Sequence, residues 1–327
     1  MRYLETGLWA DVRELPGALR DTLAAADGVA EAAAVLRGVD RIVATGNGAA
    51  FYVAHALWLA SLESRSPVPI VAVPCGIAIR DEFRWQPGDA VLAVSSSGEF
   101  RDVVEIARRA AGPCVAITAD ADSSLAAAAT AVVLQRVVSQ RAVTHTQAVA
   151  GAYASALALW ATVTGDAELA ALLTTVGDAA EQAVADAEAW APDVGTPPAA
   201  IAVGGGPAWA AAMELALMLK EISRIPAEGV ETREGATSAS FGLDRGHLMV
   251  SLDTAGDPDG DEAVRLCAAA GAVTLRLPGA GGDARLAPIT TLPAAAALSA
   301  ELALAAGHDV DRPAWTDAYY ETARSAP

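Results

Sequence analysis

The sequence predicts an α/β protein of two similar halves, each a doubly wound parallel sheet covered by helices on both faces. Two observations carry this reading. The segment RIVATGNGA (41–49) has the pattern of a buried strand entering a Gly-rich turn, then a helix through Leu62. AIAVGGGP (200–207) repeats it and continues as a helix through Ile222, with Gly46 and Gly48 matching Gly204 and Gly206 at an offset of 158 residues. The following strands pair as well: AVLAVSSSG (90–98) matches GHLMVSLD (246–253), and CVAIT (114–118) matches AVTLRL (272–277). Strands alternating with helices at this spacing make parallel sheets, one per half.

Taken in order, residues 1–35 read as an N-terminal helical segment and 36–165 as the first α/β domain. Residues 166–196 read as a helical linker ending at DVGTPP (193–198), where consecutive prolines after glycine stop a helix. The second α/β domain is expected over 197–308 and a C-terminal tail over 309–327.

Composition narrows the function. Hydrophobic residues make up 53% of the 327-residue chain, much of this alanine, and the formal net charge is −18. Such a surface repels nucleic acid and anionic membrane, so neither is expected as a partner. A small anion remains possible, because backbone N–H groups and hydroxyls at a helix N-terminus hold one without a basic patch. Cys75, Cys114 and Cys267 are far apart, lack any CxxC pairing and lie in or beside apolar runs. Buried free thiols in a reducing compartment are expected. The N-terminus has early acidic residues and no signal-like apolar core, which points to a cytoplasmic protein. The uncharged stretch 148–165 is long enough to span a bilayer, but it is rich in Ala, Ser, Thr and Gly and lacks basic flanks, so a buried helix is the better reading.

Three segments could carry chemistry. SSSGEFRDV (95–103) follows a strand and opens a helix, the place where open parallel sheets bind ligands. Ser95 and Ser97 offer hydroxyl donors to an anion and Gly98 a close backbone approach, unless the segment is only a Ser-rich cap and turn. The second half presents Asp253 after its matching strand, and a carboxylate would repel phosphate, so one anion pocket is expected, in the first half. The turn GNGA (46–49), with Gly48 and Ala49, fits neither a dinucleotide fingerprint nor a P-loop, and no cofactor is expected.

MELALMLKEIS (213–223) puts Glu214 and Glu221 seven residues apart on one helix face, with Met218 between them. Burial would raise a carboxyl toward the range of a general base. The other reading is a solvated acidic face, or Glu221 paired with Arg224. His145, in RAVTHTQ (141–147), is either a ligand contact or acid/base group, or part of a helix-capping cluster. The four histidines stand in four different elements without metal-ligand spacing, so no metal is expected.

These motifs together resemble the tandem sugar-isomerase (SIS) domain proteins, above all the isomerase half of glucosamine-6-phosphate synthase and the fructosamine-6-phosphate deglycases. VRELPGAL (12–19), the first Gly turn, DEFRW (81–85), SSSGE (95–99), AVTHT (142–146), LKEISRIPAE (219–228) and GHDVDRP (307–313) carry the likeness over nearly the whole chain. It implies two flavodoxin-like SIS subdomains, a homodimer and a sugar-phosphate ligand. It places phosphate on Ser95, Ser96 and Ser97 and sugar contacts at Val143 and Thr144. It also makes Glu221 the base that moves a proton between C1 and C2, with Glu214 as companion carboxylate and Lys220 beside it. The apolar runs 148–164 and 292–306 exceed what two small cores obviously need, which favours the homodimer.

The departures bear on mechanism. A lysine one turn before the base is Met218 here, the ring-opening histidine is Thr237, and the imine-forming tail lysine is Ala318. Family hydroxyls are Ala50 and Phe100, and Phe100 and Trp209 suggest a bulkier substrate. No glutamine-hydrolysing domain with an N-terminal cysteine is expected. The resulting expectation is enolisation of a phosphorylated ketose, aldose or amino sugar by an isomerase, deaminase or deglycase, with Glu214 or His145 protonating any leaving amine. The alternative is a non-catalytic sugar-phosphate sensor.

Overall fold

A computed structural model describes every residue except Arg65, Pro67, Ala255, Ala280, Gly281 and residues 325–327, and side chains except those of Tyr319, Tyr320, Ala323 and Arg324. It resolves into two compact units. The first unit holds Pro16–Val138, Gln147–Gly177 and the C-terminal residues from Trp315; the second holds Met1–Leu15, Ser139–Thr146 and Asp178–Ala314.

The first unit is built on a five-stranded parallel sheet of β1 (Arg41–Thr45), β2 (Ile70–Ala72), β3 (Asp89–Val94), β4 (Cys114–Thr118) and β5 (Ala131–Leu134), in the order β2-β1-β3-β4-β5. The second has a four-stranded parallel sheet of β6 (Ala200–Gly204), β7 (Ala227–Glu231), β8 (Leu248–Ser251) and β9 (Val273–Arg276), in the order β7-β6-β8-β9. In both, strand order reverses beside the strand that precedes the Gly-rich turn. That reversal leaves a crevice at the strand carboxyl ends, where doubly wound sheets bind ligands.

Helices α1 (Gly7–Ala25) and α2 (Val29–Leu36) precede the first sheet. Around it run α3 (Ala49–Ser61), α4 (Cys75–Ala78), α5 (Arg101–Arg109), α6 (Ser124–Ala128), α7 (Gln147–Thr164) and α8 (Ala167–Leu173). After α9 (Val176–Ala189) come α10 (Pro207–Met218), α11 (Thr232–Thr237), α12 (Pro258–Ala269), α13 (Ala287–Thr290), α14 (Leu292–Ala305) and α15 (Thr316–Arg324). Val91, Ala93, Ile106 and Ala116 lie in the core of the first unit, and Val203, Met249, Ala263 and Cys267 in that of the second.

The repeat extends to backbone conformation. Gly48 caps α3 at φ 54°, ψ −130°, and Gly206 caps α10 at φ 53°, ψ −137°, a region closed to residues with a Cβ. Strand register also corrects the alignment read from sequence. Ile42 pairs with Ala90 and Ala200 with Leu248, so both members keep the 158-residue offset. Ser95 therefore corresponds to Asp253, not to Ser251, and Gly98 to Gly256; both glycines have positive φ, at 63° and 91°. The apolar similarity of the strands hid a two-residue slip that only hydrogen-bond pairing resolves.

The two long apolar runs are consumed as core. In α7, Leu157, Leu159 and Trp160 are among 13 buried residues, and in α14 Leu292, Leu298 and Leu302 are among 11. They are no surplus surface, which removes that argument for a dimer. The 22-residue helical run 284–305 is long and apolar enough to cross a membrane, with 83% of its apolar window buried inside the protein, as in a core helix. All three cysteines are buried and unbridged. Burial pushes their thiols up, to about 11 at Cys75 and about 12 at Cys114, leaving little thiolate near neutral pH.

The helix bearing Glu214 is held close to its sheet by a missing side chain. A Cβ on Gly229 of β7 would lie 2.4 Å from the Met213 Cα. Gly229→Ala must push α10 away from the sheet. It is expected to cost about 1–3 kcal/mol, read as a fall of several degrees in Tm.

Candidate active site

The α-helical hydrogen bonding of α10 ends at Met218, and Leu219–Ser223 continue as a π-helical turn that carries Lys220 and Glu221. Such turns are rare and often mark functional positions, because the extra residue per turn re-aims a side chain. The turn closes at Arg224, in the left-handed region at φ 58°, with Ile225 N–H donating to the Leu219 carbonyl. Ser223 Oγ donates to the Ser299 carbonyl of α14 at 2.7 Å, tying the turn to a buried helix. Seven-residue spacing in an unbroken helix would give the two glutamates the same environment. Here Glu214 is fully buried while Glu221 is half-buried.

Neither glutamate is a solvated surface acid. Burial, then the nearby Glu221 charge, raise the Glu214 carboxyl to about 8, and its Oε2 has no hydrogen-bond partner among the described residues. Burial raises Glu221 to about 7, opposed by the Thr144 hydroxyl and the Lys220 charge. Thr144 Oγ1 donates to Glu221 Oε2 across 3.4 Å. Near neutral pH Glu214 holds its proton while Glu221 is poised to exchange one.

Residues 139–146 are held by three acidic residues, Asp11 just before VRELPGAL, Glu14 within it and Asp311 within GHDVDRP. Asp11 Oδ2 accepts the N–H groups of Arg141 and Ala142 at 2.7 and 3.0 Å, and the Arg141 guanidinium spans Asp11 and Glu14. The Val143 N–H donates to the Asp311 carbonyl at 2.9 Å, while the Asp311 carboxylate accepts the N–H groups of Gly7 and Leu8, both at 2.8 Å. Asp311 thus caps α1 and pins the segment that bears Thr144. VRELPGAL, AVTHT and GHDVDRP, far apart in sequence, meet in one hydrogen-bonded assembly. His145 Nε2 lies 3.1 Å from the Gln140 side-chain nitrogen; with that amide as donor, Nε2 is the acceptor.

In the first unit, the serine loop lies between β3 and α5. The helix begins at Arg101, three residues beyond Gly98, so the loop is longer than a plain N-cap. Ser95 is buried, its Oγ accepting the Gly98 N–H at 3.1 Å, and Ser96 and Ser97 are half-buried. Glycine at 98 answers to the left-handed backbone and to Ser123, whose Oγ would lie 2.2 Å from a Cβ there. Gly48 and Ala49 start α3 at the neighbouring strand end. Phe100, at the start of α5, is half-buried and packs against the core of this unit.

The family departures have structural counterparts. Met218 is fully buried, and Thr237 spends its hydroxyl on the Arg233 carbonyl at 2.7 Å. Ala318 is an exposed residue of α15.

This architecture is the tandem SIS fold of the phosphosugar isomerases. Over 94% of its length the chain matches 98% of the C-terminal domain of glucosamine-fructose-6-phosphate aminotransferase from Francisella tularensis, at TM-score 0.79 and 20% identity. It matches glucosamine-6-phosphate deaminase from Thermotoga maritima at TM-score 0.71 and 17% identity, over 91% of this chain and 97% of that one. For tagatose-6-phosphate ketose/aldose isomerase from Escherichia coli the TM-score is 0.72 and the identity 17%, over 93% and 95% of the two chains. At these identities the likeness is one of fold. No protein-family model and no curated protein matches the chain.

Proposed function

We propose that this protein is an enzyme of phosphosugar metabolism that enolises a phosphorylated ketose, aldose or amino sugar, with Glu221 as the base. The observation that carries the reading is Glu221 itself. It is a half-buried carboxyl on a π-helical turn, raised to about 7 and within reach of the Thr144 hydroxyl. A base in that range is strong enough to remove a proton beside a carbonyl and still ionised in useful amount at neutral pH. Glu214, protonated there, is the companion acid. In this reading Ser95, Ser96 and Ser97 anchor the phosphate, and Val143, Thr144, His145 and Lys220 contact the sugar.

The solved structures that share the fold include an aminotransferase domain, a deaminase and a ketose/aldose isomerase, all named for sugar 6-phosphates. Enolisation is the step that isomerase, deaminase and deglycase outcomes have in common. The second reading, a sugar-phosphate sensor, draws on Met218, Thr237 and Ala318, none of which can replace the amine or imidazole of the family pattern.

Thermal shift tests the ligand class. At 100 times its dissociation constant, the right sugar phosphate should stabilise the protein by about 2.7 kcal/mol, a rise of several degrees in Tm. Ser95→Ala should weaken that response at least tenfold in ligand concentration, while the unphosphorylated sugar should give none. A response that is independent of phosphate, or unchanged in Ser95→Ala, would remove the phosphate assignment. Turnover of the hit by wild type but not by Glu221→Gln separates enzyme from sensor.

A further inference from the structure

In the second unit, the crevice where strand order reverses lies between β6 and β8, bounded by the turn at Gly205 and the loop after Ser251. It is filled by a side chain of the protein itself. Asp253 Oδ1 accepts the Gly205 N–H at 2.7 Å and Oδ2 accepts the Thr232 hydroxyl at 2.7 Å, so a carboxylate bridges the Gly-rich turn and the end of β7. Asp253 is buried at 7% exposure. Arg276 on the next strand donates to the backbone carbonyls of Asp253 and Thr254, which places a guanidinium against the same loop. The start of α12 closes over it, since a Cβ on Gly260 would lie 2.7 Å from the Asp253 Cβ.

Strand register makes Asp253 the counterpart of Ser95, in the loop assigned to phosphate in the other half. Gly206 repeats the conformation of Gly48, and Gly256 shares the positive φ of Gly98. The position that matches the serine loop is therefore occupied by the protein's own Asp253 carboxyl, which takes the Gly205 N–H and the Thr232 hydroxyl.

We propose that Asp253 is the built-in occupant of an anion cradle in the second half, closing that half to phosphate. The carboxylate takes the N–H and O–H donors that a phosphate monoester or inorganic phosphate would use, and its charge repels either. A tethered anion loses little entropy on binding, so a free phosphate does not displace it. The inference concerns the second unit alone and stands whether or not Ser95–Ser97 hold phosphate in the first.

Counting inorganic phosphate bound by the full-length protein in equilibrium dialysis at millimolar concentration tests it. D253S, which restores the residue type found at 95, and D253G should each bind one equivalent more than wild type. D253N, whose amide still fills the crevice, should match wild type. Wild type binding no phosphate would remove the serine-loop assignment and leave this inference to be judged by the gain in D253S. A folded D253S or D253G without that gain overturns it, as does a D253N that gains an equivalent. Two equivalents bound by wild type overturn it without recourse to any variant.

Discussion

Under the proposed function, Glu221→Gln is expected to lower turnover of the sugar-phosphate substrate by about 10²–10⁴-fold, the usual worth of a positioned general base, and to leave binding in place. The amide keeps the shape of the side chain and can still accept from Thr144, so the π-helical turn and its tie to α14 remain. Thermal stabilisation by ligand should therefore survive the substitution while kcat collapses. The pH dependence follows from the same carboxyl. A base must be ionised, so activity falls as pH drops through about 7, the value to which burial raises Glu221. Where Glu214 acts as the acid, activity also falls as pH rises through about 8. The two limbs belong to the pair and are read as macroscopic values. A kcat profile flat from pH 5 to 9, or a Glu221→Gln enzyme with wild-type turnover, would sink the assignment.

Glu214→Gln is expected to stabilise the protein in alkali relative to wild type. Its folded carboxyl lies at about 8 against 4.5 for the free side chain, because burial and the Glu221 charge disfavour the ionised form. The folded state thus holds this proton more tightly than the unfolded chain. The associated stability is fully present below 4.5 and is lost as pH rises toward and through about 8. Each pH step between the unfolded and folded titrations is worth roughly 1.4 kcal/mol, so the loss is on the order of several kcal/mol above pH 8. An amide does not ionise. The Tm of Glu214→Gln relative to wild type should rise by several degrees between pH 5 and pH 9. A Tm difference constant across that range would show that Glu214 is not a buried neutral acid.

The two predictions separate the glutamates that the sequence treats as equals. Glu221→Gln should act on turnover with a small effect on Tm, and Glu214→Gln on the pH dependence of Tm whatever it does to turnover. The difference comes from the register change at Met218, which leaves one carboxyl wholly inside and turns the other toward Thr144.

Much of this molecule was legible in the order of its residues. The alternation of apolar strands and helices sets two parallel sheets, because only strands buried on both faces read as continuous Val, Ile, Leu and Ala runs. The Gly turns at 46–48 and 204–206 announce the repeat, since Gly48 and Gly206 adopt a conformation that other residues avoid. The serine loop and both glutamates were visible for the same local reason: polar side chains in otherwise apolar surroundings.

What tertiary structure decided depends on partners far away in the chain. The π-helical turn leaves no mark in the pattern of apolar positions, and it is tied down by Ser223 reaching Ser299, 76 residues away. Asp11 and Asp311 look like ordinary surface acids until the fold sets the backbone N–H groups of Arg141, Ala142, Gly7 and Leu8 against them. The correspondence of Ser95 with Asp253 waited on strand register, because a two-residue slip preserves inward and outward alternation and only the hydrogen-bond ladder distinguishes the two alignments. Local composition determined which elements form. Which polar groups meet, and which carboxyl keeps its proton, was set by long-range packing.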